Sequence, residues 1–137
     1  ADAMHFAEEL VVRYSRDRKA LAAIALLDQT VLTCAGNDYG YDAVFSRQVE
    51  ALGKPGDVFI GFSTSGNSRN IAAAFETARA QQLKTIAFLG KTGGACKPLC
   101  DVPLIIANPN TARIQEAHQI IYHSLCDYID AWALGET

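Results

Sequence analysis

The stretch DVFIGF at residues 57–62, running straight into STSGNS at 63–68, decides how this chain folds. Five apolar or small residues in an unbroken row, without polar alternation, mark a strand covered on both faces, as in a parallel sheet. GKPG at 53–56 breaks the chain just before it. Beyond the loop, 70–82 has helical periodicity, and TIAFL at 85–89 is a second buried strand. Parallel strands need such a crossover, so 57–89 is a βαβ unit. Working outward, 93–99 reads as a short helix, 102–107 as a third buried strand and 111–134 as a long final helix. Its core stripe is expected at Ile114, Ala117, Ile121, Leu125, Tyr128 and Trp132. Toward the start, 42–52 is helical, with Val44, Phe45, Gln48, Val49 and Leu52 in register. Residues 31–35 fit a strand or the start of a buried helix, and 22–27 is an apolar run of strand length. Ala3, Ala7, Leu10, Val11 and Tyr14 trace an amphipathic helix to about Arg16. The alternation predicts an α/β fold, a three-layer α/β/α sandwich around a central parallel sheet.

Composition narrows the function. The 137 residues suit one domain, 1–137, and half of them are apolar. A net charge of -3 without a basic stripe argues against nucleic acid as a partner. No run has the apolar length of a membrane span and no signal peptide opens the chain, so a soluble, cytoplasmic protein is expected. Cys34, Cys96, Cys100 and Cys126 form no C-x-x-C pair and are expected as reduced thiols. ADAMHFAEEL at 1–10 reads as the middle of a helix without a cap, so a preceding helical segment is expected to be missing.

In a parallel sheet, ligands gather beyond the carboxyl ends of the strands. Residues 63–68 lie there and lead into a helix, where unpaired N–H groups and the helix dipole favour an anion. Ser63, Thr64, Ser65 and Ser68 put four hydroxyls within six residues, and Gly66 lets the backbone come close to an oxygen. A simple cap by Asn67 or Ser68 would need one hydroxyl only. Neither a Walker loop nor a G-x-G-x-x-G fingerprint is present, so a small phosphate ester is the implied ligand. Two polar helix edges accompany the loop. His5, Glu9 and Arg13 recur at steps of four, as do Gln115, Gln119 and His123. Taken alone, both edges read as solvated faces, with Glu9 and Arg13 as an ordinary ion pair. His118, nearer the apolar stripe, reads as a satisfied core or interface histidine.

Together the motifs say more. DAMHFAEEL at 2–10, GNDYG at 36–40, STSGNS at 63–68 and RIQEAH at 113–118 occur in that order. The chain resembles the phosphoheptose isomerase family, whose fold is the flavodoxin- and Rossmann-like sugar isomerase (SIS) domain, over essentially its whole length. That resemblance implies an aldose–ketose isomerase that interconverts sedoheptulose 7-phosphate and D-glycero-D-manno-heptose 7-phosphate, supplying heptose for lipopolysaccharide core. By position, Ser63, Thr64, Ser65 and Ser68 would hold the phosphate, and Arg13, Asn37, Asp38 and Gln115 would surround the sugar. Glu9 and His123 would be the acid–base pair. The resemblance also implies one zinc per subunit at His5, Glu9, Gln115 and His123, and a homotetramer with active sites at subunit contacts. Glu9 cannot easily be a tight zinc ligand and a free base together, and that division stays open. Ala112 replaces an acidic residue that some relatives carry near the substrate. The rival is a non-catalytic protein of the same fold, of the DnaA initiator-associating type, which resembles ARIQE at 112–116 and LCDYID at 125–130. That group lacks acid–base residues at the positions of Glu9 and His123, and this chain has both.

Overall fold

The computed structural model describes residues 1–136. It divides into two compact units, Leu27–Gln115 on the one hand and Ala1–Leu26 with the segment from Glu116 on the other, and each is taken by itself.

The larger unit holds the sheet. Helices α2 (Gln29–Tyr39) and α3 (Ser46–Leu52) lead to strand β1 (Val58–Ser63), α4 (Arg69–Ala80), β2 (Lys84–Gly90) and β3 (Val102–Ile106). The first turn of a long helix, α5 (Thr111–Ala133), closes it. The strands are parallel in the order β1-β2-β3, with Ile60 opposite Ile86 and Phe88 opposite Leu104. One sheet face meets α4. Phe75 packs there with Ala87, Leu89 and Cys96, and Phe59 meets it edge-on at 5.2 Å. Gly61 brings backbone so close that an added Cβ would sit 2.6 Å from the Phe75 ring. On the other face Phe62 stacks on Phe88 at 4.7 Å, and Ile114 of α5 lies against Gly90. Helix, sheet and helix are the three layers the alternation predicts.

Two local expectations change in this unit and just before it, and one left open between strand and helix is decided. Residues 31–35 lie in helix α2, because Asp28 caps it, its carboxylate accepting the N–H groups of Thr30 and Val31 at 2.9 and 3.0 Å. The 42–52 helix is broken into a 3-10 turn, Tyr41–Ala43, and α3. Residues 22–27 carry no strand. Their apolar side chains had suggested one, but no neighbouring strand offers a ladder.

The smaller unit contains α1 (Asp2–Val11) and the rest of α5. Helix α1 stops at Val11 instead of continuing to Arg16, so Arg13 lies beyond it and does not share its face with His5 and Glu9. The buried line of α5 also differs from the apolar stripe. Ile114, His118, Tyr122, Cys126 and Asp130 are buried at steps of four, whereas Tyr128 and Trp132 are 63% and 59% exposed. Polar side chains can occupy a core when their partners are inside with them, and counting apolar residues misses this. No helix among the described residues is long and apolar enough to cross a membrane.

Candidate functional site

The candidate anion loop begins where β1 ends. Ser63 Oγ lies 2.8 Å from Ser68 Oγ and 3.4 Å from Ser65 Oγ, and it accepts the N–H of Gly66 at 3.1 Å. The serines therefore converge on one another. Gly66 has φ +69°, and an added Cβ would stand 2.3 Å from the carbonyl of Gly93. The loop is clasped by the turn after β2: Cys96 N–H donates to Gly66 O, and Ala95 N–H donates to Asn67 Oδ1, both at 2.9 Å. Asn67 also returns Nδ2 to Ser65 O at 3.1 Å. Ser68 is the N-cap residue of α4, yet no side chain caps that helix. A simple cap by Asn67 or Ser68 is thereby set aside; Ile71 N–H donates to Asn70 Oδ1 at 2.9 Å, and the N–H groups of Arg69 and Asn70 are left for an anion. A cavity of about 370 Å³ adjoins the loop, lined by Tyr41, Asp42, Asn67, Ser68, Arg69 and Asn70. Arg69, which the motif reading passed over, puts a cation at its edge and pairs with Asp42 at 3.2 Å.

Asn37 and Asp38 sit on α2. They are exposed and bonded to each other, Asn37 Nδ2 donating to Asp38 Oδ1 at 2.7 Å, and among the described residues neither bonds to 63–68. Gln115 is exposed on α5, eight residues before His123 and hence about 12 Å along the helix.

The smaller unit holds the second cluster. His5 Nε2 lies 3.0 Å from Glu9 Oε1, one turn apart on α1, so Glu9 meets His5 in place of the expected Arg13. His123 joins them from α5, and one ligand atom from each of the three residues falls within 4.8 Å of the others. The His123 ring is stacked on Tyr14 at 5.4 Å and stands edge-on to His5 at 5.1 Å. Its Nε2 is buried without a hydrogen-bond partner among the described residues. An orphaned buried nitrogen costs about 1–3 kcal/mol unless something meets it. Two imidazoles and a carboxylate, with one nitrogen unsatisfied, are a donor set that fits zinc.

Several supports of this cluster escaped the motif reading. Tyr122 places its hydroxyl 2.9 Å from His5 Nδ1. Arg18 sends Nη2 to Glu9 O at 2.8 Å and Nη1 to Leu10 O at 2.9 Å, tying off the last turn of α1. Its Nε meets Asp130 Oδ1 at 2.7 Å, and both side chains are buried. Asp130 Oδ2 accepts the N–H groups of Ser15 and Arg16. Nothing local in the sequence links the two members of this clamp, which stand 112 positions apart. Cys126, between these groups, is pushed up to about 12, first by burial and then by the charge of Glu9. It is a packed, inert thiol, and all four cysteines are free.

Comparison with known proteins agrees with this layout. The SIS domain family model matches residues 1–90. The phosphoheptose isomerase of Trichlorobacter lovleyi is 52% identical over 136 residues, covering 98% of this chain and 69% of its own. That of Clostridium acetobutylicum is 53% identical over 137 residues, covering 99% and 70%. The solved phosphoheptose isomerase from Neisseria gonorrhoeae superposes with a TM-score of 0.89 at 46% identity, over 95% of this chain and 70% of that one. The corresponding structure from Francisella tularensis gives 0.89 at 40% identity, over 94% and 70%. A clasped serine loop at the sheet edge, a His5, Glu9 and His123 cluster on α1 and α5, and this degree of likeness lead to one conclusion: the chain belongs to the phosphoheptose isomerase family of SIS-domain proteins.

Proposed function

We propose that this chain converts sedoheptulose 7-phosphate to D-glycero-D-manno-heptose 7-phosphate through an enediolate, in the cytoplasm, for lipopolysaccharide core. The observation that carries the reading is the His5, Glu9 and His123 cluster with its orphaned nitrogen. Moving a carbonyl from the second carbon to the first requires a proton to leave one carbon and return to its neighbour, while another passes between the two oxygens. Glu9 Oε1 is engaged by His5, whereas Oε2 has no hydrogen bond among the described residues, so Oε2 takes and returns the carbon-bound proton. His123 shuttles protons at the oxygens. Ser63, Thr64, Ser65 and Ser68 hold the phosphate together with the forward N–H groups of α4. Arg13, Asn37, Asp38 and Gln115 contact the sugar hydroxyls.

One zinc per subunit would be held by His5, Glu9 and His123, with Gln115 as the further ligand the family resemblance implies. When bound, it supplies a Lewis acid that polarises the carbonyl oxygen. Exposed Ile120, Tyr128 and Trp132 on α5 support assembly into a homotetramer with its sites at subunit contacts. A replication-initiator-binding role has no use for the acid–base cluster. The test is incubation of the full-length, zinc-supplied protein with sedoheptulose 7-phosphate, followed by proton NMR. Aldose signals are expected, and their absence from folded protein overturns the reading.

A further inference from the structure

We propose that Tyr122 is a positioning residue that holds His5 so that Nε2, and not Nδ1, is presented to the ion. The inference rests on the reading of the His5, Glu9 and His123 cluster as a zinc site.

The Tyr122 side chain is almost fully buried, and its ring stacks on Phe6 at 5.4 Å with the planes 21° apart. Its hydroxyl is therefore fixed in place, 2.9 Å from His5 Nδ1. The opposite nitrogen of that ring, Nε2, lies 3.0 Å from Glu9 Oε1, and His5, Glu9 and His123 each bring one ligand atom within 4.8 Å of the others. Which imidazole nitrogen serves a metal is set by the hydrogen bond the other one makes. A hydroxyl suits this task because it both donates and accepts. Without an ion, the Glu9 carboxylate is an acceptor, so Nε2 carries the proton and Nδ1 accepts from the tyrosine O–H. With an ion on Nε2, the imidazole proton resides on Nδ1 and is donated to the tyrosine oxygen. A carbonyl or carboxylate in that place would bond only the second form. Tyr122 lets His5 exchange tautomers as the ion comes and goes while Nδ1 keeps a partner in both states.

The experiment is a zinc titration of the metal-stripped full-length protein against a competing chromogenic chelator, for the unaltered chain, Tyr122→Phe and His123→Ala. Tyr122→Phe keeps the ring on Phe6 and removes one oxygen. It is expected to weaken zinc by roughly 10–100-fold, the range for loss of a ligand's hydrogen-bond partner, with a zinc-free melting curve close to that of the parent. Equal zinc affinity in the parent and Tyr122→Phe, with loss in His123→Ala, overturns the role of Tyr122 and leaves the zinc site standing. No zinc binding by the parent overturns both. The imidazole nitrogen NMR signals of His5 in the unaltered protein decide the matter independently of any variant's folding. The proton is expected on Nε2 without zinc and on Nδ1 with it, and a proton on Nδ1 in both states overturns the inference.

Discussion

Replacing Asp130 by Asn tests the buried clamp behind the candidate site. The Arg18 and Asp130 side chains are 1% and 0% exposed. Among the described residues, Asp130 neutralises a guanidinium that otherwise meets only the carbonyls of Glu9, Leu10 and Lys19. An Asn there keeps the shape but loses the charge, and its amide must turn either its oxygen or its NH2 toward a donor. Breaking a buried pair by removing one partner costs about 3–5 kcal/mol, against about 0–1 kcal/mol for an exposed pair. Against a total stability of about 5–15 kcal/mol, that is a large share. For a chain of this size the melting point falls by roughly 3–5 °C per kcal/mol, so a drop of about 10–25 °C is expected. Urea unfolding followed by circular dichroism gives the free energy, and a cycle with Arg18→Met gives the coupling. The double variant is expected to lose well under the sum of the two single losses. A single loss below about 1 kcal/mol, or strict additivity, would refute the reasoning, because the pair would then behave like a surface contact.

The same clamp sets an acid response. Burial pushes the Asp130 carboxyl up, but the Arg18 bond, the N–H groups of Arg16 and Ser15 and the Arg18 charge outweigh it and hold the group below the usual carboxylate range. Its contribution is therefore complete above the unfolded value of about 3.9 and is lost as pH falls through the lower folded value. Below about pH 4, stability is expected to fall more steeply in the parent than in Asp130→Asn, and parallel curves would count against this. Gly66→Ala forces a side chain into a left-handed conformation, costing about 1–2 kcal/mol, and drives its Cβ into the Gly93 carbonyl. Steady-state kinetics should show KM for the phosphosugar up by about tenfold or more with a smaller change in kcat, and an unchanged KM contradicts the clasp. Glu9→Gln should lower kcat by about 100- to 10,000-fold while the melting curve stays near that of the parent, and full activity would remove Glu9 as the base.

The sheet was readable because its signals are local. Residues 57–62 and 85–89 are apolar runs bounded by breakers, and a parallel pair admits few connections. The loop at 63–68 was equally plain as a candidate anion site, since hydroxyls, a glycine and a helix start lie within six residues. What the sequence hid is pairing over distance. Nothing near Asp130 announces that Arg18 will meet it, and the buried edge of α5 turned toward His118, Tyr122 and Asp130, where Tyr122 meets His5 and Asp130 meets Arg18. The same effect shortened α1, where Arg18 takes the last carbonyls and leaves Arg13 outside the helix. Tyr122 was passed over because its ring counts as ordinary apolar content until its hydroxyl is located beside His5. Residues 22–27 erred the opposite way, with the composition of a strand and no neighbour to pair with.

Gly66 meets the Gly93–Gly94 turn through backbone atoms, and the short Asn67 side chain beside it is itself tied down to Ala95 N–H. Any inserted residue or altered register in the later turn is thus transmitted undamped to the loop that begins at Ser63. For anyone redesigning this scaffold toward a longer or shorter sugar phosphate, the two segments amount to a single exchangeable part. Libraries should vary 63–68 and 91–96 together, and a graft of either one alone will arrive without its mould.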